Sequence, residues 1–216
     1  MKAKTLLVAA AALAAATISS QAQVYSQNVV GYVNVPLVNG YNLIANPLDD
    51  GNGNELTNIL SSANLANKSQ VITWNGVGYN TAIGKSSAGW SGSVSLAPGS
   101  GFFVKNSGGS TTNTFVGSVL VASGVSVTNS IVSGYNLVGS PIPFAGDATT
   151  DTNLNLGQIL ANKSQLLSFN SASQAYSTAV GKSSAGWAAS FPVTVGQGFF
   201  VKSAATTSTN WVQAAP

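Results

Sequence analysis

Short β-branched and aromatic runs, separated by glycine, proline and asparagine, dominate the pattern of hydrophobic and polar positions. The runs "VVGYVNVPL" and "GYNLIANP" have strand length and end at turn residues. The segments "QVITWN" and "GYNTAIG" flank a turn over 75–78, which is typical of a β-hairpin. We expect Tyr79, Thr81 and Ile83 to share one face of its second strand. "GFFVKN" and "NTFVGSVLV" add two more predicted strands.

A short helix is predicted in each half of the chain. Apolar residues spaced i, i+3 and i+4 occur twice, as Leu56, Ile59 and Leu60 and as Leu156, Ile159 and Leu160. Asn54 and Asn155 precede these sets and are candidate N-caps, because an asparagine side chain can accept hydrogen bonds from the first free N–H groups of a helix. A single apolar stripe on each helix predicts packing against a sheet.

Four segments occur twice, in the same order and at nearly constant spacing. They are "GYNL" at Gly40 and Gly134, "LANKSQ" at Leu65 and Leu160, "GKSSAGW" at Gly84 and Gly181, and "GFFVK" at Gly101 and Gly198. The sequence therefore predicts a mainly β protein of two tandem homologous units, 23–120 and 121–216. Each unit is expected to be sandwich-like or barrel-like with one short helix.

The two predicted units are expected to pack with pseudo-two-fold symmetry. The junction lacks a charged or proline-rich linker and resembles a hairpin that turns at 122–124. By the same symmetry, we expect the final strand around Trp211 to pair with the first strand over 30–35.

Residues 1–22 have the pattern of a secretory signal peptide. Lys2 and Lys4 precede an apolar stretch over 6–18, and Ser20-Gln21-Ala22 forms a small-x-small cleavage site. The apolar stretch is shorter than the roughly 20 residues that span a bilayer. We therefore expect export, a mature chain that starts at Gln23, and no membrane span after cleavage. The expected location is the periplasm, the cell surface or the medium.

Charge and composition narrow the possible chemistry. The chain has a formal net charge of +3, but Lys2 and Lys4 lie in the predicted signal peptide, so the mature chain is close to neutral. It contains no arginine, which argues against bidentate recognition of phosphate or guanine and makes nucleic acid an unexpected partner. Cysteine and histidine are absent as well. Disulfides and the commonest ligands for zinc are therefore ruled out, and no cofactor is expected.

The chain resembles a group of exported, uncharacterised β-rich proteins of verrucomicrobial-type bacteria that carry an internal duplication. The resemblance rests on the signal followed by "NVVGYVNVPLVNGYNLIANPL", on "APGSGFFVKN", and on their second copies. It covers most of the mature chain. It implies export and a duplicated β fold, and it implies no activity.

The repeated heptapeptide "GKSSAGW" contains Gly-Lys-Ser but does not match a phosphate-binding loop. Tyr79 and Tyr176 stand where that motif requires its first glycine, and no helical pattern follows. A serine–lysine nucleophile pair is also disfavoured, because side chains of neighbouring residues tend to point apart. We predict a structural turn between two strands, with Trp90 and Trp187 packed against a sheet and Lys85 and Lys182 directed to water.

The acidic residues gather before the two predicted helices. Asp49, Asp50 and Asp151 can complement the positive helix N-termini, which is our preferred interpretation. The alternative is a calcium site that uses the oxygens of the same residues, although neither loop has the glycine of an EF-hand. A hydrolase using carboxylates such as Asp49 and Asp147 ranks lowest, because the acids do not occupy matching positions in the two halves.

The paired aromatic residues are the best candidates for binding. Trp74, Tyr79, Trp90, Tyr176 and Trp187 can stack on sugar rings if they are exposed, and they form the core if they are buried. We predict a non-enzymatic structural or interaction protein of the cell envelope or extracellular space. The alternative is a carbohydrate-binding module. The expected partners are polysaccharide or other envelope proteins.

Overall fold

The computed structural model describes residues 30–120 and 126–214, which we call the first half and the second half. The predicted signal peptide and the predicted turn at 122–124 lie outside the described residues. Strands make up 47% of the structure and helices 6%, so the mainly β prediction is confirmed. The sheets do not close, so the barrel-like alternative is wrong.

Each half has the same order of main elements. The first half contains β1 (Val30–Leu37), β2 (Gly40–Ala45), α1 (Leu56–Ile59), a 3₁₀ turn (Ser62–Asn64), β3 (Gln70–Ile72), β4 (Ile83–Ser86), β5 (Gly89–Trp90), β6 (Gly101–Asn106) and β7 (Thr111–Ser118). The second half contains β8 (Ser126–Ile131), β9 (Gly134–Gly139), β10 (Gly146–Asp147), α2 (Leu156–Ile159), β11 (Gln165–Leu167), β12 (Phe169–Asn170), β13 (Ala175–Tyr176), β14 (Val180–Ser183), β15 (Gly186–Trp187), β16 (Pro192–Val193), β17 (Gly198–Ser203) and β18 (Thr209–Ala214).

Each half consists of a five-stranded sheet and a two-stranded ribbon. The sheets have the orders β2-β6-β3-β4-β5 and β9-β17-β11-β14-β15, and neighbouring strands in them are antiparallel. The ribbons are β1–β7 and β8–β18. The second half adds two short pairs, β10–β16 and β12–β13. A core of buried aliphatic and aromatic residues fills the space between each ribbon, its helix and its sheet.

The expected pairing of the first and last strands is wrong. Val35 of β1 lies opposite Asn113 of β7, and Trp211 of β18 lies opposite Asn129 of β8. Each ribbon is therefore completed within its own half. This arrangement lets the apolar inner face of each ribbon cover the core of the same half, and Phe115 and Trp211 are both about 1% exposed there.

The five-stranded sheets of the two halves stack on each other through the repeated "GFFVK" strands. In β6, Phe102 and Val104 point into the core of the first half, whereas Phe103 points towards the second half. Phe200 of β17 meets it from the other side. Because neighbouring side chains of a strand point to opposite faces, the two phenylalanines of each copy serve two different interfaces. Both faces of these central strands are consequently buried.

The glycine that opens each "GFFVK" strand lies where the two halves approach closely. A Cβ atom on Gly101 would stand 2.9 Å from the backbone nitrogen of Val138, and one on Gly198 would stand 2.6 Å from the carbonyl oxygen of Ile44. A larger residue would push the halves apart at these points. The lysine of each "GFFVK" copy lies on a central strand and not on a sheet edge, because β6 and β17 are paired on both sides.

Both predicted helices exist but are only four residues long. The N-cap prediction is wrong for Asn54, because Glu55 is the N-cap of α1. Asn155 is the N-cap of α2, as predicted. Neither Glu55 nor Asn155 makes a side-chain cap hydrogen bond. Asn54 is instead buried in the preceding loop, where its amide donates to Asp49 Oδ1 at 2.9 Å. Its oxygen accepts the backbone N–H of Asp50.

Candidate functional site

The stacked sheets bury a small aromatic cluster between the halves, which we call the junction cluster. Its buried members are Leu43, Phe103, Leu137 and Phe200, and Ile72, Trp74, Leu167 and Phe169 pack against them. Each half supplies two of the buried members and two of the flanking ones. The ring contacts are edge-on: the centroids of Trp74 and Phe200 are 5.4 Å apart, and those of Phe103 and Phe169 are 5.1 Å apart.

Two turns reach across the junction, each from its own half onto the other. In the first half, Asn75 N donates to Gly78 O at 3.0 Å, which confirms the predicted turn over 75–78. The indole of Trp74, which precedes this turn, donates to Tyr135 O at 2.9 Å. In the second half, Gln174 binds both backbone polar groups of Tyr41: its Oε1 accepts from the N–H at 2.7 Å and its Nε2 donates to the oxygen at 2.9 Å. Each half therefore donates or accepts hydrogen bonds from a turn that contacts the backbone of the other half.

Tyr79 and Tyr176 meet where the two turns come together. Their hydroxyl oxygens are 2.5 Å apart, and the rings are 48% and 46% exposed. Burial, and then the hydrogen bond with Tyr79, raise the pKa of Tyr176, so the phenol of Tyr176 stays protonated at neutral pH. The expected common face of Tyr79 and Ile83 is not observed. β4 begins only at Ile83, which packs on the core of the first half, whereas Tyr79 faces the junction.

Two clefts flank this tyrosine pair, and both tyrosines line each of them. We call these the aromatic clefts. The first, of about 360 Å³, is also lined by Tyr41, Ile72, Asn80, Ala82, Phe103 and Phe169. The second, of about 260 Å³, is also lined by Trp74, Tyr135, Leu167 and Phe200. No lining residue is charged, so the clefts suit the apolar faces of a neutral partner.

One tyrosine that lines each aromatic cleft has a lysine beside its ring. Tyr41 and Tyr135 are each 38% exposed. Lys105 Nζ lies 5.7 Å from the ring centroid of Tyr41, and Lys202 Nζ lies 5.4 Å from that of Tyr135. Both ammonium groups are thus within cation–π distance of a ring face. The repeated lysine of "GFFVK" therefore contacts the equivalent tyrosine in both halves.

Trp90 and Trp187 lie away from the clefts. In both copies of "GKSSAGW" a tight hairpin forms, in which Lys85 pairs with Trp90 and Lys182 pairs with Trp187. Each tryptophan is half-buried against the core of its own half. The prediction of a structural connection between strands is therefore confirmed, and these two rings do not contribute to the exposed aromatic surface.

The two lysines of the heptapeptide differ. Lys85 Nζ donates to Asn67 Oδ1 at 3.3 Å near the surface. Lys182 Nζ donates to Gly157 O at 2.7 Å and to Leu160 O at 2.6 Å, at the C-terminal end of α2. The expectation that Lys182 points to water is thus wrong. Its charge instead lies at the negative end of the helix.

The carboxylates serve their own loops. Asp49 and Asp50 accept the backbone N–H groups of Gly51 and Asn52, and Asp151 accepts that of Asn153 at 2.8 Å. No acidic residue lies in the first turn of either helix, although Glu55 is the N-cap of α1, so Asp49, Asp50 and Asp151 are bonded to loop backbone and not to a helix N-terminus. Within residues 30–120 and 126–214, no three acidic side chains come close enough together to hold a metal ion. The calcium alternative therefore gains no support from Asp49, Asp50 or Asp151.

Asp147 has the most polar surroundings of the acidic residues. Partial burial alone would raise its pKa, but hydrogen bonds from Ser190, Thr149 and Phe191 outweigh burial and lower the pKa to about 2. A carboxylate that stays ionised and fully hydrogen-bonded is a poor general acid. The hydrogen bonds of Asp147 instead stabilise the β10–β16 pair, in which Asp147 lies opposite Pro192.

The sequence did not indicate four aromatic residues of the clefts, namely Tyr41, Phe103, Tyr135 and Phe200. The repeated segment "GFFVK" could have indicated Phe103 and Phe200. Two consecutive phenylalanines on a strand must face opposite sides, so one of them requires an interface outside the core of its own half.

No protein-family model, curated protein or solved structure matches the chain. The function therefore has to be inferred from the geometry of the aromatic clefts. Among the described residues, no helix is long and apolar enough to cross a membrane.

Proposed function

We propose that this chain is a non-enzymatic, exported interaction protein of the bacterial cell envelope or extracellular space, and that it binds through the aromatic clefts. The observation that carries this proposal is the pair of uncharged clefts on either side of Tyr79 and Tyr176. Their rings remain about half exposed although they belong to a packed junction. Exposed aromatic residues grouped at a cleft mark interaction sites more often than isolated ones do.

The absence of an enzymatic role is part of the same proposal. All five acidic side chains of the chain accept hydrogen bonds within their own loops or from nearby serines. Export is supported by the N-terminal pattern, and membership of the exported, duplicated β-rich group is supported by the repeated segments.

We also propose that the halves are two homologous units, 23–120 and 121–216, related by a pseudo-two-fold axis. Reciprocal contacts support this arrangement. Ala45 N donates to Gly196 O at 2.9 Å, and Gly139 N donates to Gly99 O at 3.0 Å. The repeated segments place Gly139 at the position of Ala45, and Gly196 at the position of Gly99. Contacts that exchange partners in this way are those expected across a two-fold axis.

Neutral carbohydrate is the second candidate for the partner, and the exposed rings favour it. Tyr79 and Tyr176 present apolar ring area beside hydroxyl groups, as sugar-binding surfaces do. The rings meet edge-on and do not form a flat row. We therefore expect a short glycan segment to enter one cleft, rather than a long chain lying flat across several rings. Trp90 and Trp187 are excluded from this role by their positions against the cores.

A pull-down with the mature chain from Gln23 tests both candidates. The chain is immobilised and exposed to isolated envelope polysaccharide and, separately, to solubilised envelope proteins. Tyr79→Ala and Tyr176→Ala should abolish retention. Tyr32→Ala is the matched control, because Tyr32 is 72% exposed but lies on the ribbon away from the clefts. Melting temperatures establish that each variant is folded.

Retention of polysaccharide that depends on the cleft tyrosines would favour the carbohydrate candidate. Retention of a protein with the same dependence would favour the first candidate. If the folded Tyr79→Ala and Tyr176→Ala chains retain the same material as the unaltered chain, the aromatic clefts are not the binding site and the proposal is wrong.

A further inference from the structure

Tyr79 and Tyr176 are arranged for a reaction with each other as well as for contact with a partner. They come from opposite halves, 97 residues apart in the sequence, and their hydroxyl oxygens are 2.5 Å apart. Both rings are about half exposed, so a soluble oxidant can reach them. We propose that these two residues are a site of oxidative tyrosine–tyrosine cross-linking that joins the two halves covalently.

The reaction needs a peroxide and a one-electron oxidation catalyst such as a haem peroxidase. Each phenol loses one electron and one proton and becomes a phenoxyl radical. The two radicals join through the ring carbons next to the oxygens, and the hydrogens on those carbons move to the oxygens and restore the phenols. The pair has then lost two electrons and two protons, which reduce one hydrogen peroxide molecule to two water molecules.

Proximity favours this pair over the other tyrosines. Coupling in solution requires two radicals to meet, whereas the fold already holds the hydroxyl groups of Tyr79 and Tyr176 in contact, which raises the effective concentration of one phenol beside the other. Each reactive ring carbon is bonded to the carbon that carries the hydroxyl group, so a modest rotation of the side chains brings two such carbons into contact. The half-exposed position leaves room for that rotation.

The cross-link would serve as a covalent staple in a chain that has no cysteine. It would join the turn of the first half to the β12–β13 pair of the second half. These are the same segments that Trp74 and Gln174 fasten by hydrogen bonds. A covalent bond between residues so far apart in the sequence restricts the unfolded chain, as a disulfide does, and should raise the melting temperature.

The lysine positions allow the product to be assigned without ambiguity. Cleavage after lysine releases the peptides 69–85 and 164–182, each of which contains a single tyrosine. The mature chain is treated with hydrogen peroxide and a peroxidase, and its digest is examined by mass spectrometry. We expect the two peptides to be joined, with a mass lower than their sum by two hydrogen atoms, and the monomer to acquire dityrosine fluorescence.

Three variants separate proximity from simple exposure. Tyr79→Phe and Tyr176→Phe keep the rings and should each abolish the joined peptides, whereas Tyr32→Phe should leave their yield unchanged. Tyr79→Phe also detects a competing bond from Trp74, whose ring centroid is 5.1 Å from that of Tyr79 and which lies in the same peptide. The unaltered chain in denaturant should lose the selectivity for this pair.

The proposal is overturned if the peptides stay separate in the oxidised folded chain. It is also overturned if they remain joined in the Tyr79→Phe chain, or if Tyr32 and links between molecules account for the products. Since these measurements do not involve a binding partner, they are independent of the pull-down test of the aromatic clefts.

Discussion

The last strands of the two halves, β7 and β18, place an aromatic ring and an amide at the same two inward positions but in opposite order. β7 has Asn113 first and Phe115 second, whereas β18 has Trp211 first and Gln213 second. All four side chains are no more than 3% exposed. Each half thus fills its core with one large ring from its final strand, although the ring enters from a different position.

The opposite order of ring and amide has different consequences for hydrogen bonding in the two halves. Asn113 Nδ2 donates to Ile59 O at 3.2 Å, at the end of α1. Trp211, at the equivalent position, donates its indole N–H to Leu154 O and packs on Phe199 with a centroid distance of 6.2 Å. The Nε2 atom of Gln213 is buried and finds no partner among the described residues. The comparison shows that a core accepts a large ring at either of the two positions. A buried amide is harder to place, because it needs a polar partner at whichever position it occupies.

Trp211→Ala should have the largest effect on stability. The ring is about 1% exposed, and its removal leaves a cavity and an unpaired carbonyl, so we expect a loss of about 3–5 kcal/mol in the free energy of unfolding. Asn113→Ala at the equivalent position should cost less, about 1–2 kcal/mol, because only one buried hydrogen bond is lost. Urea denaturation of both variants measures the difference. Equal losses in the free energy of unfolding for the two variants would contradict the view that β7 and β18 place their large buried ring at different positions.

Trp90→Ala and Trp187→Ala should come next and should resemble each other. Both rings are half-buried against the core of their own half. We expect each substitution to cost about 2–3 kcal/mol, below the value for a fully buried ring. Thermal denaturation compares them, and the pull-down checks binding. A Trp90→Ala chain that is stable but has lost its partner would contradict the structural role of the heptapeptide.

Asp147→Asn should remove a stabilising effect that depends on pH. The folded-state pKa is about 2, below the usual 3.8, so the ionised side chain stabilises the fold above about pH 4. That contribution, at most about 2 kcal/mol because the group is partly in contact with solvent, is lost as the pH falls from about 4 to 2.

Unfolding curves between pH 2 and pH 7 test this prediction. The Asp147→Asn chain should be less stable than the unaltered chain near neutral pH, and the difference should shrink below about pH 4. Ser190→Ala, which removes one donor to Asp147, should weaken the same pH dependence. Ser93→Ala is the matched control, because Ser93 donates to Glu55 in the first half. A pH-independent difference would show that Asp147 acts through packing alone.

The smallest effect should separate the two heptapeptide lysines. Lys182→Ala removes two hydrogen bonds to carbonyls at the end of α2 and should cost about 1–2 kcal/mol. Lys85→Ala, near the surface, should change stability by no more than about 0.5 kcal/mol. Lys182→Met retains most of the apolar stem and isolates the contribution of the charge. Indistinguishable Lys85→Ala and Lys182→Ala chains would mean that the contacts of Lys182 do not stabilise the helix end.

Local patterns predicted the elements of this fold well. Most strand runs, the two short helices and the turn over 75–78 each depend on residues a few positions apart, and the structure contains them. The strand predicted from Tyr79 is the exception, because β4 begins only at Ile83. Asn155 is the N-cap of α2 as predicted, but the prediction for Asn54 failed, because its side chain could pair either with a helix N-terminus or with the loop before it. The loop offered Asp49 and Asp50 as hydrogen-bonding neighbours, and they hold the asparagine there.

The aromatic clefts could be predicted only in part. Trp74, Tyr79 and Tyr176 belong to them, but Trp90 and Trp187 do not. All five are large rings near turns, and for Trp90 and Trp187 the sequence left open both a packed structural role and an exposed binding role. Exposure is decided by what the rest of the chain places over each ring, which is the core of its own half for Trp90 and the opposite half for Trp74.

The sequence by itself determined a chain of short strands and two short helices, two copies of each main segment, and a hairpin that packs a tryptophan against its own half. These properties follow from side-chain periodicity and turn chemistry, which act over a few residues. Only the tertiary structure decided which strands pair, that the two sheets stack, and that Tyr79 meets Tyr176. Those outcomes depend on contacts between distant residues, such as Tyr41 and Gln174 at a separation of 133 positions. Their energies are set by packing and by the polar groups that each surface leaves unpaired.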